Sequence, residues 1–181
     1  MNQTDQQPRN LEESPSEDIM QLLHRDHMKV DELFFQFARA EEDSEKKSIV
    51  EQITQELGLH AKLEEEIVYP KVRNGEKEAE CLMDEADTEH HVVKFLLAEL
   101  GHMKPSDDYY DSKVTVLCEM VKHHVEEEEK EIFEKLKESD LDLKELGREF
   151  LDRKASLSAK PLPEETFPVI GNRDSRDRKS A

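Results

Sequence analysis

Four long stretches of this chain carry apolar residues at the three- and four-residue spacing of one α-helical face. This spacing predicts four long helices and a short fifth, over about 17–39, 45–69, 77–103, 107–138 and 141–154. Only 5 glycines and 7 prolines interrupt the 181 residues, which favours helices over many short strands. Because short connections make successive helices antiparallel neighbours, the predicted fold is all-α, an up-down-up-down four-helix bundle with a short fifth C-terminal helix.

The ends of these helices are predicted from capping and helix-breaking residues. Ser16 is a candidate N-cap of the first helix, and Ser106 of the fourth. Pro70 is expected to end the second helix, with a turn at Asn74-Gly75 after it. The sequence outside the helices lacks periodicity, so we expect three regions: a flexible N-terminal tail at 1–17, one bundle domain at 18–154 and a flexible C-terminal tail at 155–181.

Composition and charge exclude several classes of protein. The formal net charge is −19, with 39% charged and 35% hydrophobic residues, so the chain offers no sustained cationic face for a nucleic-acid backbone. No apolar run approaches the roughly 20 residues that span a bilayer, and the N-terminal sequence does not resemble a signal peptide. Cys81 and Cys118 form no CxxC motif, so we expect free thiols and a cytoplasmic location, without nucleic-acid or membrane partners.

Ionisable side chains lie within the apolar stripes of the predicted helices. Each long helix contributes one histidine, and in the second and fourth helices a glutamate follows four residues later; the six residues are His27, His60, Glu64, His90, His124 and Glu128. Burying the two glutamates among leucines and isoleucines is costly unless a positive charge compensates, and no lysine or arginine lies in these stripes. A bound cation is the simplest compensation.

The heights of these residues along the helices support the same interpretation. With about 1.5 Å of rise per residue, the four histidines of an alternating bundle reach about the same level, and both glutamates reach in from one turn lower. This predicts two metal ions, each with two imidazoles, joined by two bridging carboxylates.

One alternative to a metal site is a set of solvated helix faces in a glutamate-rich chain. A ferritin-like site would need paired Glu-x-x-His motifs, and only Glu99 with His102 fits, at a helix end.

Four segments of the chain resemble the hemerythrin family, specifically the bacterial HHE cation-binding domains. They are LLHRDH at 22–27, HAKLEEEIVYP at 60–70, EHHVV at 89–93 and HVEEEEKEIF at 124–133. The resemblance implies a non-haem centre of two iron ions with an oxo or hydroxo bridge, held by the six residues above, with iron favoured over manganese. Lys94 stands where oxygen-carrying hemerythrins have a further histidine, which argues against reversible oxygen carriage.

The function implied by this resemblance is binding or sensing of O2 or a related small oxidant, NO or peroxide. The expected partner is accordingly a small diatomic or peroxide ligand. The alternatives are a redox enzyme of the same centre, which consumes peroxide or repairs damaged iron centres, and a protein that senses or stores iron. Repair proteins of this family usually carry an additional N-terminal module with a cysteine, and residues 1–17 contain no cysteine.

Three further histidines lie close to the six in sequence. His24 either belongs to the metal shell or its surroundings, or lies at the helix boundary. His91 and His123 adjoin predicted ligands but fall one step off the stripe, where each is an alternative to its neighbour. We expect the stripe positions to be the ligands.

The remaining acidic and aromatic candidates are expected to have ordinary surface roles. Glu65, Glu127 and Glu129 are predicted to be solvated, with a hydrogen bond to a liganding imidazole as the alternative. Tyr69 is predicted to pack at the rim of the bundle.

Overall fold

The computed structural model describes residues 17–73 and 76–158, and these residues form helices and connections without any strand. The elements are α1 (Ile19–Arg39), α2 (Asp43–Leu63), the π-helical turn π1 (Glu64–Val68), α3 (Tyr69–Val72), α4 (Lys77–Gly101), α5 (Tyr110–Glu127), the π-helical turn π2 (Glu128–Ile132), α6 (Phe133–Glu138) and α7 (Leu143–Ser158). Two of the predicted long helices therefore contain a π-helical turn, and the all-α prediction is confirmed.

Helix α1 begins with a capping box formed by Asp18 and Gln21. The Asp18 carboxylate accepts a hydrogen bond from the Gln21 backbone N–H at 3.0 Å, and the Gln21 side chain accepts one from the Asp18 backbone N–H at 3.0 Å. Two backbone donors that the helix cannot pair are satisfied in this way. The N-cap is therefore Asp18 rather than the predicted Ser16, which lies outside the described residues.

Pro70 does not end the second long helix, as the sequence had suggested. The chain passes from α2 through π1 into α3 and stays helical to Val72, and Pro70 occupies the first turn of α3. In π1 the Tyr69 N–H bonds to the Glu64 carbonyl, five residues back. Proline is tolerated in a first turn because its missing N–H costs least there. The predicted turn at Asn74-Gly75 lies outside the described residues.

The fourth and fifth helices begin later than predicted. Helix α5 starts at Tyr110, after Tyr109 in the left-handed region with φ 70°, and Ser106 does not cap it. Helix α7 starts after Asp142, whose carboxylate accepts from two backbone N–H groups, and continues to Ser158. Residues 155–158 are thus helical, whereas the sequence suggested a tail from 155 onward.

Two hydrophobic cores lie on either side of a layer of buried polar residues. The first contains Leu23 and Leu63 and is closed by Phe150 of α7. The second contains Val30 and Leu57. Helix α1 packs against α2 and α7, and α4 packs against α5. The polar layer is therefore enclosed by apolar side chains above and below.

Helix α7 approaches the start of α1 closely, at Gly147. A Cβ atom at this position would lie 2.7 Å from the Glu17 carbonyl oxygen, so only glycine permits the contact.

Within residues 17–73 and 76–158, each helix is too short or too polar to cross a lipid bilayer.

Candidate metal centre

The buried polar layer is built from the six residues that the sequence identified as metal ligands. Each of α1, α2, α4 and α5 contributes one histidine, and each π-helical turn begins with one glutamate. All six side chains are buried: His27, His60, Glu64, His90, His124 and Glu128. The glutamates are 0% and 1% exposed, although each carries an ionisable group. The structure thus brings the whole predicted set together.

The four imidazoles form two pairs. His27 Nε2 lies 3.2 Å from His60 Nε2, and His90 Nε2 lies 3.1 Å from His124 Nε2. Ring nitrogens of one pair thus face a common point, an arrangement in which two lone pairs can be offered to one metal ion. The pairing of α1 with α2 and of α4 with α5 agrees with the sequence-based prediction of two imidazoles for each metal.

Each glutamate lies between the two pairs of histidines. Glu64 Oε2 is 3.1 Å from His60 Nε2 and 3.3 Å from His90 Nε2. Glu128 Oε2 is 3.1 Å from His27 Nε2 and 4.0 Å from His124 Nε2. Since each carboxylate reaches one histidine from each pair, both are placed to bridge two ions.

Several polar atoms of this layer lack a hydrogen-bond partner. Among the described residues, Glu64 Oε1 and both carboxylate oxygens of Glu128 are buried without one. Buried carboxylate oxygens without partners are unfavourable, so these atoms fit the coordination of a cation. The donor set of nitrogens and oxygens suits a pair of divalent or trivalent cations.

The buried charges shift one another's protonation. Burial disfavours the protonated form of His60, but the Glu64 carboxylate outweighs it and raises the His60 pKa well above its usual value. Burial also opposes ionisation of Glu64, yet His60 and His90 lower the Glu64 pKa well below its usual value. For Glu128, burial and then the Glu64 charge raise the pKa. His60 and Glu128 therefore bind protons more tightly than usual, whereas Glu64 stays ionised.

A carboxylate faces the outer nitrogen, Nδ1, of every imidazole. The pairs are His27 with Glu129 at 2.8 Å, His90 with Glu65 at 3.1 Å, His124 with Glu89 at 2.7 Å, and His60 with Asp26 at 3.8 Å. A carboxylate on Nδ1 keeps the proton there and directs Nε2 inward, as in many histidine metal sites. Three of the four contacts are hydrogen bonds, and the Asp26 contact is longer.

Sequence reasoning missed Asp26 and Glu89 and expected Glu65 and Glu129 to be solvated. The alternative noted for the last two, a hydrogen bond to a liganding imidazole, is what the structure shows. A signal was present in the sequence, because each of the four acids is the immediate neighbour of a predicted ligand. Each acid serves the histidine of a different helix, which a single helical pattern does not reveal.

The other histidines lie outside the central set. His24 is exposed, and its Nδ1 lies 2.8 Å from Glu129 Oε1, so it supports the carboxylate that orients His27. His91 and His123 are exposed, whereas His90 and His124 are buried in the central layer.

Tyr69 is buried beside the centre rather than at the rim. Its hydroxyl lies 3.4 Å from His90 Nε2 and 3.5 Å from Glu64 Oε2, and its ring stacks on His90. Burial, followed by the Glu64 charge, raises the Tyr69 pKa well above its usual value. The phenol therefore stays protonated and points a hydroxyl at the layer of ligands.

Lys94, where the resemblance led us to look for a further histidine, does not reach the centre. Its Nζ lies 2.5 and 2.7 Å from the two oxygens of Glu65. Glu65 in turn accepts from His90. Lys94 therefore holds a carboxylate that orients a ligand.

A small apolar cavity adjoins the four histidines on the side of the second core. Its walls include Val30, Leu57, Val93 and Val121. It offers 20 Å³ to a water-sized molecule, about the space of one water. Only a very small molecule fits next to the imidazoles on this side.

Comparisons with known proteins show the family and a related fold. The family described as Hemerythrin HHE cation binding domain matches residues 18–136. A protein named DNA nickase from Nostoc sp. strain PCC 7120 is 32% identical over 117 residues, which is 64% of this chain but only 32% of that protein. The fold is similar to a crystal structure of a hemerythrin HHE cation binding domain-containing protein from Mycobacterium kansasii, with TM-score 0.68 and 22% identity over 79% of this chain and 88% of that chain.

Proposed function

The chain belongs to the hemerythrin HHE cation-binding family, and we propose that it holds two iron ions and binds or senses O2 or a related small oxidant, NO or peroxide. One observation carries the proposal: two pairs of facing imidazoles with a buried carboxylate reaching from each pair to the other. This is the donor arrangement of a carboxylate-bridged dinuclear site.

The choice of metal follows from the number and kind of donors. Two nitrogens and two shared carboxylates provide about four donors for each ion, fewer than the five or six that iron or manganese takes. Structural zinc prefers four ligands, often with sulfur, in a closed site. We favour iron over manganese on the family relationship. When bound, the iron pair supplies electrons and an open coordination position for a small ligand.

The residues around the centre limit what can approach it. The cavity beside the histidines is walled by valines and a leucine and has room for about one water-sized molecule. The Tyr69 hydroxyl, kept protonated by its raised pKa, can donate a hydrogen bond toward the layer. A diatomic molecule or a peroxide suits this space, and a larger organic substrate does not.

The course of the helices and the setting of the protein are part of the proposal. We infer the up-down-up-down order from the short connections and from the four histidines at one level. A cytoplasmic location is supported by Cys81 and Cys118, which are unpaired. The flexible tails stay predictions over residues 1–16 and 159–181, which lie outside the described residues.

Other functions of the same centre are distinguished by turnover. A peroxide-consuming or repair enzyme would act catalytically, and an iron-sensing or storage protein would respond to iron itself. DNA nicking is not proposed, because the match spans 32% of the nickase and a net charge of −19 opposes binding to a phosphate backbone.

The decisive experiment is anaerobic reconstitution of the purified protein with ferrous iron. We expect about two iron ions per chain, and a change in near-ultraviolet and visible absorption when stoichiometric O2, NO or peroxide is added. The Glu64→Ala variant should lose both ions, whereas Glu126→Ala, at an exposed position on α5, should keep them. A single tetrahedral zinc, or no bound metal, would overturn the proposal. Catalytic removal of excess peroxide would favour the enzyme.

A further inference from the structure

A second cluster of metal-binding side chains lies at the surface beside the centre. Glu89 of α4 meets His123 and Glu127 of α5, with ligand atoms that all lie within 4.8 Å of one another. His123 Nε2 is 3.5 Å from Glu127 Oε1 and 3.9 Å from Glu89 Oε1. We propose that this cluster is a loading site, which captures a divalent transition-metal ion and passes it to the central pair. The proposal rests on the proposed function, since it supplies the ions of that centre.

Glu89 connects the two sites directly. One carboxylate oxygen, Oε1, faces His123, and the other, Oε2, lies 2.7 Å from His124 Nδ1. A cation held by the surface cluster is thus separated from the centre by one carboxylate and one imidazole ring.

A narrow cleft gives a path between the sites. Its outer wall includes Glu85, Glu89 and Glu127, and its inner end is formed by His124 and the buried Glu128. The cleft offers only 10 Å³ to a water-sized molecule, so a hydrated ion cannot pass without losing water. Carboxylate oxygens along the path can replace that water one ligand at a time.

The charges beside the centre differ between this side and the sides of Glu65 and Asp26. No lysine or arginine of the described residues forms an ion pair with Glu85, Glu89 or Glu127. In contrast, two other carboxylates that face histidines are held by lysines, Glu65 by Lys94 and Asp26 by Lys154. A cation that approaches the centre therefore meets less net negative charge on those two sides than on this one.

The two halves of the bundle, α1 with α2 and α4 with α5, also differ in the side chains that they expose beside their histidines. In the first half, the residues one before and three after His60 are Leu59 and Leu63, which are buried in the first core. The equivalent residues around His124 are His123 and Glu127, with side chains 62% and 39% exposed. The first half thus closes its side with apolar packing, whereas the second presents metal-binding groups to solvent.

The loading site can be tested with Co²⁺, whose visible absorption reports its coordination. Protein freed of metal should bind two ions tightly and a third weakly, and His123→Ala and Glu127→Gln should each lose the third. At limiting Co²⁺, filling of the centre in these variants should be roughly tenfold slower, because an attractive charged site raises the association rate. The final occupancy of two should be unchanged.

Matched controls are available in the same helices. His91→Ala removes the exposed histidine next to His90, and Glu126→Gln removes an exposed acid next to Glu127. Both should load at the rate of the unaltered protein. If all variants bind two ions and fill the centre at the same rate, the loading site is wrong and the proposed function is unaffected. Loss of the two central ions in the His123 or Glu127 variants would also overturn the loading site, because these residues would then belong to the centre. A protein that takes up no Co²⁺ would contradict the proposed function itself.

Discussion

Asp26 Oδ2 lies 3.8 Å from His60 Nδ1, too far for a hydrogen bond, whereas the other three histidines of the centre have a carboxylate oxygen within 3.1 Å of Nδ1. The reason is Lys154 of α7, whose Nζ lies 2.5 Å from both oxygens of Asp26. The last helix therefore shares a carboxylate with the metal centre, and His60 Nδ1 is left without a hydrogen-bond partner.

The first prediction concerns this contact between α7 and Asp26. Replacing Lys154 with methionine removes the cation that helps to lower the pKa of a mostly buried carboxyl. We expect Lys154→Met to reduce the free energy of unfolding by about 1–3 kcal/mol, the usual cost of an unsatisfied buried acceptor. Urea unfolding of protein freed of metal measures the change. Lys144→Met, at an exposed position of the same helix, is the control and should have little effect. Equal unfolding of both variants would show that the Lys154 contact contributes nothing.

The second prediction separates bridging glutamates from orienting ones. Glu65 accepts a hydrogen bond from His90 Nδ1, so Glu65→Ala should leave both ions bound but weaken their affinity by roughly 10- to 100-fold. Glu64→Ala should remove both ions, since it deletes a donor that reaches both histidine pairs. Competition with a chelator measures the affinities. If Glu65→Ala binds metal as tightly as Glu126→Ala, the hydrogen bond from His90 is without consequence.

The helical register made the six central residues predictable from sequence. An apolar stripe fixes which side of a helix faces the interior, so an ionisable residue within a stripe, such as Glu128, must be buried. The common level of the four histidines in the bundle then follows from the rise per residue and the distance of each histidine from the end of its helix. In both respects local periodicity carries information about the tertiary structure.

Features that depend on contacts between helices were not predictable in the same way. Asp26 and Glu89 face histidines of neighbouring helices, and their placement depends on how one helix is rotated against the next. The π-helical turns at Glu64 and Glu128 add one residue to a turn, and nothing in helix propensity distinguishes them. The continuation of the helix through Pro70 follows from π1 and was missed for that reason.

The third prediction is that Glu128→Gln stabilises the protein freed of metal while it abolishes the centre. Burial and the nearby Glu64 carboxylate raise the Glu128 pKa, so the fold prefers a neutral group at this position. A neutral amide avoids this cost, and the melting temperature should rise by roughly 2–4 °C for each kcal/mol gained. Thermal melts and metal analysis of the same samples test both parts. A lower melting temperature for Glu128→Gln would show that the charged form is well accommodated without metal.

The last prediction concerns pH, and its sign follows from the direction of the shifts. Burial opposes protonation of His27, His60 and His90, but the neighbouring glutamates dominate and raise each pKa above the usual 6.5. Protonation of these groups stabilises the fold fully below about pH 6.5, and the contribution is lost as pH rises through the raised pKa values. Glu64 acts oppositely: its lowered pKa gives a contribution present above 4.5 that is lost as pH falls through the lowered value. Above about pH 6.5, protein freed of metal should therefore lose stability as pH increases.

Metal-loaded protein should respond to pH in the other direction. Metal and protons compete for the same imidazoles and carboxylates, so a higher pH strengthens metal binding and adds to the free energy of unfolding. The difference in melting temperature between loaded and metal-free protein should therefore be small near about pH 5.5 and widen steadily toward about pH 8. Calorimetric melts of both forms across this range provide the measurement. A difference that stays constant with pH would mean that protons and metal do not share these side chains, and the assignment of His27, His60 and His90 as ligands would then be wrong.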